Sequence, residues 1–302
     1  MRELVRGLAD HLREAVVTGR SAVTDRYVSG VALGGDAEFP IDVVAEEAAW
    51  RYVCDWPEPV ALYTESHGLR LHGTDPRYVL VVDPIDGTRG AAADFEMACV
   101  SIAAARFGPA PTIGDVEYAI LTELKTGQWM YADAYSEGIA SGGYPTPVPR
   151  LGSTVDVERM FWSIEFNGHP AELMTRSYGH LVDASANRGA VYVFNSASFS
   201  ISRIITGQMD AYVDIGNRLL KDRPELESEF RRVGHGSILH LFPYDIAASV
   251  FLAKRAGVTI TDAYGESLDG TALLDVSPEN QRSCIAACTP KLHEALLSGV
   301  RW

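Results

Sequence analysis

Leu80-Val81-Val82-Asp83-Pro84-Ile85-Asp86-Gly87-Thr88 fixes how this 302-residue chain is read. Tyr78 to Val82 is a continuous apolar run and predicts a buried strand. The run delivers two carboxylates, a glycine and a hydroxyl at its end. A hard cation such as Mg²⁺ takes oxygen ligands, usually one or two carboxylates together with phosphate oxygens and water. Pro84 lacks an N–H, so the strand ladder is expected to stop there. That turn would aim the Ile85 carbonyl and the Asp86 carboxylate the same way as Asp83. Gly87 lets backbone N–H groups approach an anion. The same residues also read as a plain strand followed by an Asp-Gly turn. An aspartyl-phosphate signature would space its Asp, Asp and Thr at i, i+2 and i+4. Asp83, Asp86 and Thr88 stand at i, i+3 and i+5, out of phase with it.

Composition narrows the function. Apolar residues make up 47% of the chain, enough for a sizeable core of one large or two ordinary domains. The formal charge of −14 argues against a nucleic-acid polymer as partner, because affinity for a phosphate backbone comes from Lys and Arg. A small phosphate ester remains compatible, since a divalent metal meets its charge locally. Cys54, Cys99, Cys284 and Cys288 lack zinc-ligand spacing and are expected as buried free thiols, which suits a cytoplasmic location. Arg2 and Glu3 open an amphipathic pattern rather than a signal peptide. No run reaches the roughly 20 apolar residues of a membrane span, so no membrane partner is expected.

Taken in order, residues 2–28 predict a helix through Leu4, Leu8, Leu12, Val16 and Val23. Pro40 to Cys54 predicts a second, with Asp42 in its first turn, where an acid also simply favours the helix dipole. Val60 to Thr64 predicts a strand that releases Glu65, an acid that could equally be solvated. Met97 to Arg106 predicts another strand, and residues 116–122 and 128–132 a hairpin. Ser141 to Pro149, rich in Pro and Gly, marks the domain boundary: an N-terminal domain over 1–143 and a C-terminal domain over 144–302. Strands at 161–166, 190–194, 211–214 and 258–261 then alternate with helices at 171–183, 197–206, 246–256 and 290–298, which predicts layered α/β architecture. Ser196 is the natural N-cap of the 197–206 helix. His180, His235 and His240 lie on separate segments and are expected at the surface or in packing.

Asp42, Glu65, Asp83-Pro84-Ile85-Asp86-Gly87-Thr88 and Pro243-Tyr244-Asp245-Ile246-Ala247-Ala248 form an ordered series. It resembles the inositol monophosphatase superfamily, which includes fructose-1,6-bisphosphatases and 3′-nucleotide phosphatases. Gly207 to Asp214 and Ala256 to Gly265 resemble two further stretches of that family, so nearly the whole chain is covered. The resemblance implies a layered αβαβα sandwich mixing α+β and α/β parts. It implies a Mg²⁺-dependent, lithium-sensitive phosphatase of small phosphorylated substrates, with Mn²⁺ as a substitute ion, working as a homodimer. Glu65, Asp83 and the Ile85 carbonyl would hold one ion, and Asp83, Asp86 and Asp245 a second, with a third near Glu65 in some members. Asp42 and Thr88, with Glu65, would act on the attacking water. Asp86, Gly87 and Thr88 would cradle phosphate, and Ser196, Ala197 and Asp214 would face the substrate's hydroxyls.

Three departures stand out. Ser66 replaces the second Glu of the family's usual pair, Tyr244 replaces a Trp, and residues 215–244 are longer than usual. The alternative reading of Ser66 is an inert relative that binds a phosphorylated metabolite in a regulatory role. The long segment reads either as a solvated helix or as a lid whose Arg223, Arg231 and Arg232 reach a second anionic group on the substrate.

Overall fold

The computed structural model describes residues 1–20 and 26–302. Helix α1 covers Arg2–Arg20, and a hairpin of β1 (Gly30–Val31) and β2 (Ala37–Glu38) leads into α2 (Pro40–Asp55). The main sheet uses β3 (Val60–Thr64), β4 (Gly68–His72), β5 (Tyr78–Asp86), β6 (Cys99–Arg106), β7 (Val116–Glu123), β8 (Trp129–Asp133) and β9 (Ala140–Gly142). A short α3 (Thr88–Ala92) sits between β5 and β6. The second sheet uses β10 (Phe161–Ile164), β11 (Ala190–Tyr192), β12 (Ala211–Asp214), β13 (Thr259–Thr261) and β14 (Cys284–Ala287). Its helices are α4 (Ala171–Ser185), α5 (Ala197–Ile205), α6 (Gly216–Asp222), α7 (Glu227–Val233), α8 (Pro243–Ala256) and α9 (Pro290–Gly299).

Strand order is β4-β3-β5-β6-β7-β8-β9 in the first sheet and β11-β10-β12-β14-β13 in the second. Side chains alternate across a strand, and β5 shows what that does here. Leu80 and Val82 join the core under α1 and α2, whereas Val79 and Val81 join the core shared with α5 and α8. Helices α5 and α8 lie between the two sheets, and α4 and α9 border the second. The result is a layered α+β fold, in the order helix, sheet, helix, sheet, helix. One apolar core runs from Val81 through Ile246 and Tyr212 to Leu292.

Several expectations need correction. The first helix ends at Arg20; Tyr27 and Val28 are exposed and not helical, and Val23 lies outside the described residues. Cys54 is exposed, while the other three thiols are buried and free. The α8 helix begins at Pro243 and so takes Asp245 into its first turn. Strand β14 reads as coil in the sequence because it is short and bounded by polar residues, yet it is the antiparallel partner of both β12 and β13.

The correction with the largest consequence concerns Pro84. Strand β5 does not stop there. It runs on to Asp86 through a β-bulge, with Asp83 opposite Ser101 and Asp86 opposite Cys99. Three steps on one strand therefore match two on its neighbour. The missing proline N–H falls where the ladder is already interrupted. In a regular strand, residues i and i+3 face opposite sides. The inserted residue turns Asp86 back to the face of Asp83, toward α5 and α8.

Candidate active site

The ends of β3, β5, β10 and β12 and the starts of α3, α5 and α8 border one open cleft of ≈ 710 Å³, its mouth included. Glu65, Asp83, Ile85, Asp86, Gly87, Thr88, Ser196, Ala197, Asp214 and Asp245 all line it.

Backbone donors hold the aspartates of the cleft in place. Asp83 Oδ1 accepts from Ile85 N–H at 3.0 Å, and Asp86 Oδ2 from Ser198 N–H, at the start of α5, at 2.6 Å. Asp245 Oδ2 accepts from Phe242 N–H at 2.6 Å, closing the first turn of α8. Ser198 Oγ donates to the Asp245 carbonyl at 2.8 Å and so ties α5 to α8 at the cleft. Ser196 caps α5, its Oγ accepting from Phe199 N–H at 3.1 Å.

Electrostatics here are dominated by burial, with crowding of like charges second. Burial, then the neighbouring carboxylates, raise Asp83, Glu65 and Asp245 well above the usual acid range. Asp86 is also raised by burial, but the Ser198 N–H favours its ionised form and leaves it at about 6. Asp214, which accepts from Gly216 N–H at 3.1 Å, is pushed by burial up to about 7.

Asp42 does not line the cleft and acts on it through Thr88. The Thr88 hydroxyl lies 2.9 Å from Asp42 Oδ1 and 3.0 Å from the Ile85 carbonyl. The other Asp42 oxygen accepts from Phe39 N–H at 2.8 Å. Burial raises Asp42 to about 7, against the pull of the Phe39 N–H and the Thr88 hydroxyl. Near neutral pH a proton can therefore sit on either side of the Asp42–Thr88 contact. Gly87 adopts φ +96°, and a Cβ there would come within 2.5 Å of the Met97 carbonyl, so glycine is required.

Among the described residues, no three His, Cys, Asp or Glu side chains close into a finished cation cage. The donor set nevertheless fits a hard divalent ion. It is all oxygen, and Asp83, Asp86 and Asp245 each spend one carboxylate oxygen on a backbone N–H. The like charges that raise one another are the charges such an ion would relieve.

Two sequence expectations meet a different arrangement. Arg223, Arg231 and Arg232 do not line the cleft; each pairs with a glutamate of its own segment, Glu225, Glu227 and Glu229 respectively. Opposite charges two to four residues apart satisfy one another locally. The long segment contributes Leu239, His240, Leu241 and Phe242 to the cleft instead. His240, expected in a surface or packing role, is buried there with its Nδ1 3.2 Å from His169 Nε2. Ser66 stays out of the cleft and donates its N–H to buried Glu46 at 3.0 Å.

Asp36, Arg89, Glu165, Asn167, His169 and Asn195 line the cleft without having been singled out in the sequence. Glu165 had a readable signal: like Glu65 and Asp83, it is an acid at the end of an apolar strand. Burial raises it to about 7 although its Oε1 accepts from the Phe166 and Asn167 N–H groups. Arg89 donates to Asp36 at 2.9 Å, and Asn167 donates to the same carboxylate at 3.0 Å. These contacts span 53 and 131 residues of chain, which local pattern reading does not reach.

Comparison with known proteins agrees with this fold. The chain is 27% identical over 298 residues to an Archaeoglobus fulgidus fructose-1,6-bisphosphatase/inositol-1-monophosphatase, covering 98% of this chain and 96% of that protein. A Bartonella henselae extragenic suppressor protein suhB superposes with a TM-score of 0.70 at 16% identity, covering 99% of this chain and 97% of the other. A Pyrococcus horikoshii protein described as having similarities to inositol-1 monophosphatase gives 0.68 at 19% identity, covering 100% and 98%. Residues 36–301 match the profile of the inositol monophosphatase family, and the chain belongs to that family.

Proposed function

We propose that this chain is a Mg²⁺-dependent phosphomonoesterase that releases phosphate from a small phosphorylated metabolite. The observation that carries this reading is the set of four carboxylates, Asp83 and Asp86 buried and Glu65 and Asp245 half-buried, facing one cleft beside the Asp42–Thr88 pair. Glu65, Asp83, Asp86 and Asp245, with the Ile85 carbonyl, are the groups that would hold the ions. Bound there, two divalent ions supply the charge stabilisation that attacking and leaving oxygens need in a phosphate ester.

The chain's own residues supply positioning and proton handling. Thr88 Oγ1 holds the attacking water, and Asp42 receives its proton through that hydroxyl; a base near neutral pKa suits the task. Gly87, free of a side chain, lets the phosphate approach the backbone. Ser196, beside Asp86 and Gly87, lines the cleft together with Ala197 and Asp214, where the rest of the substrate would lie. The cleft accommodates a metabolite rather than a polymer, in keeping with the chain's acidic charge.

The test is phosphate release with and without Mg²⁺ across a panel of small esters, using native protein and Asp83→Asn. Release that needs Mg²⁺ and vanishes in Asp83→Asn supports the reading. Metal-independent release, or an Asp83→Asn protein near native activity, overturns it. In the same assay Li⁺ should inhibit at millimolar concentration.

A further inference from the structure

The second wall of the cleft carries a feature that the phosphatase reading does not use. His169 and His240 are both buried, their rings 5.3 Å apart between centroids, with His169 Nε2 3.2 Å from His240 Nδ1. Phe230 of α7 packs edge-on against both rings. Gly216 closes the other side, since a Cβ there would stand 2.3 Å from His169 Nε2. His169 Nδ1 and His240 Nε2 are buried and make no well-formed hydrogen bond, although backbone groups of Glu165 and Leu239 lie beside the His169 ring. Two buried polar nitrogens without well-formed hydrogen bonds, on rings that line a cleft, carry a desolvation cost that a ligand group would relieve.

Proton counting defines what that group must be. Burial holds both imidazoles below their usual range, so each carries a single ring proton. One of the two protons fills the contact between the rings. Whichever ring donates it, the outer nitrogens then present one donor and one acceptor. That is the complement of hydroxyl groups, each of which can give and take a hydrogen bond.

The surroundings disfavour a second anion. Glu165 and Asp214 stand on the same wall. No lysine lines the cleft among the described residues, and its arginine, Arg89, is paired with Asp36. Lys221 on α6 is close enough to disfavour charge on His240 but does not line the cleft.

We infer that His169 and His240 form the wall that reads the leaving group, and that they select an uncharged polyhydroxyl group over one bearing a second phosphate. The inference rests on the phosphatase reading and adds to it the residues that choose the substrate. The long 215–244 segment then acts in specificity through His240 and the supporting Phe230, not through its arginines.

The test compares kcat/KM for an inositol monophosphate, fructose 1,6-bisphosphate and phenyl phosphate, which has no hydroxyls to read. Native protein should favour the inositol monophosphate over the bisphosphate. His240→Leu should lower kcat/KM for the inositol monophosphate about tenfold to a hundredfold while phenyl phosphate changes less than about threefold. His240→Gln, which keeps a donor and an acceptor, should recover part of the loss. Lys221→Ala should leave the monophosphate-to-bisphosphate ratio unchanged. Equal losses on all substrates, no loss on any, or a native preference for the bisphosphate would overturn the inference. If native protein releases no phosphate even from phenyl phosphate, the phosphatase reading itself fails, and a binding measurement still decides the histidines. Free myo-inositol should shift the His169 and His240 ring ¹⁵N resonances, whereas unmoved resonances at saturating myo-inositol overturn their role.

Discussion

Two helices start on the same four-residue pattern, Phe39-Pro40-Ile41-Asp42 for α2 beside the cleft and Phe242-Pro243-Tyr244-Asp245 for α8 at its lining. In both, proline occupies the first turn and the aspartate accepts the N–H of the phenylalanine, at 2.8 Å and 2.6 Å. Local structure is the same, but the surroundings are not. Asp42 meets a hydroxyl, Thr88, and settles at about 7, poised for proton transfer. Asp245 is half-buried, with Asp86 first among the charges that face it, and lies well above the usual range, a setting a cation would relieve. On the proposed reading one sequence device supplies a base in one place and a ligand in another. The difference is made by what stands opposite.

The strongest way to break this comparison is to neutralise each acid in turn. Asp245→Asn should remove Mg²⁺-dependent phosphate release altogether and raise the melting temperature of the metal-free protein, since it deletes a half-buried like charge. Asp42→Asn should keep metal-dependent stabilisation while lowering kcat by about 10²–10⁴. If both variants lose metal binding equally, the two helix starts do not differ in role.

A second test uses pH. Asp42, Asp86, Asp214 and Glu165 are raised to about 7, 6, 7 and 7 in the fold. Their folded values lie above the unfolded ones, so the folded state binds protons more tightly. The stability they confer is complete below about pH 4 and is lost as pH rises toward 7, on the order of a few kcal/mol per group at 1.36 kcal/mol per unit. The metal-free melting temperature should accordingly fall between pH 5 and pH 8, and Mg²⁺ should restore more at pH 8 than at pH 5. A melting temperature flat in pH would show that these acids are not crowded in solution.

For the activity limb, kcat should rise with pH on a slope set by Asp42, and Thr88→Ala should lower kcat without abolishing metal binding. Calorimetric titration of Mg²⁺ beside the rate profile separates the two effects. The smallest effect concerns the prolines. Pro40→Ala and Pro243→Ala should each cost roughly 0.4–1 kcal/mol of stability through the unfolded chain, measured by denaturant midpoint. Similar losses in stability would confirm the shared local device.

The acids at the cleft were visible in the sequence because an apolar strand that ends in a carboxylate is a short-range pattern. Glu65 and Asp83 both show it, and both line the cleft. The layered fold was visible for the same reason, since strand and helix periods are local. What sequence reading could not supply was the partner across space. Asp36 with Arg89 and His169 with His240 are joined by tertiary placement alone. The arginines of the long segment misled because their charge is legible while their pairing with neighbouring glutamates is settled by helix geometry.

The bulge at Pro84 makes the cleft a matter of counting. Keeping three steps from Asp83 to Asp86 but straightening the strand would send the two carboxylates to opposite sides of the sheet, whereas removing one residue as well would return them to one face, two positions apart. Substitution and deletion would thus part company here. A substitution at position 84 that straightens the strand should therefore throw the two aspartates out of phase, while a chain one residue shorter at that point keeps them on one face, because residue count and bulge together set the phase.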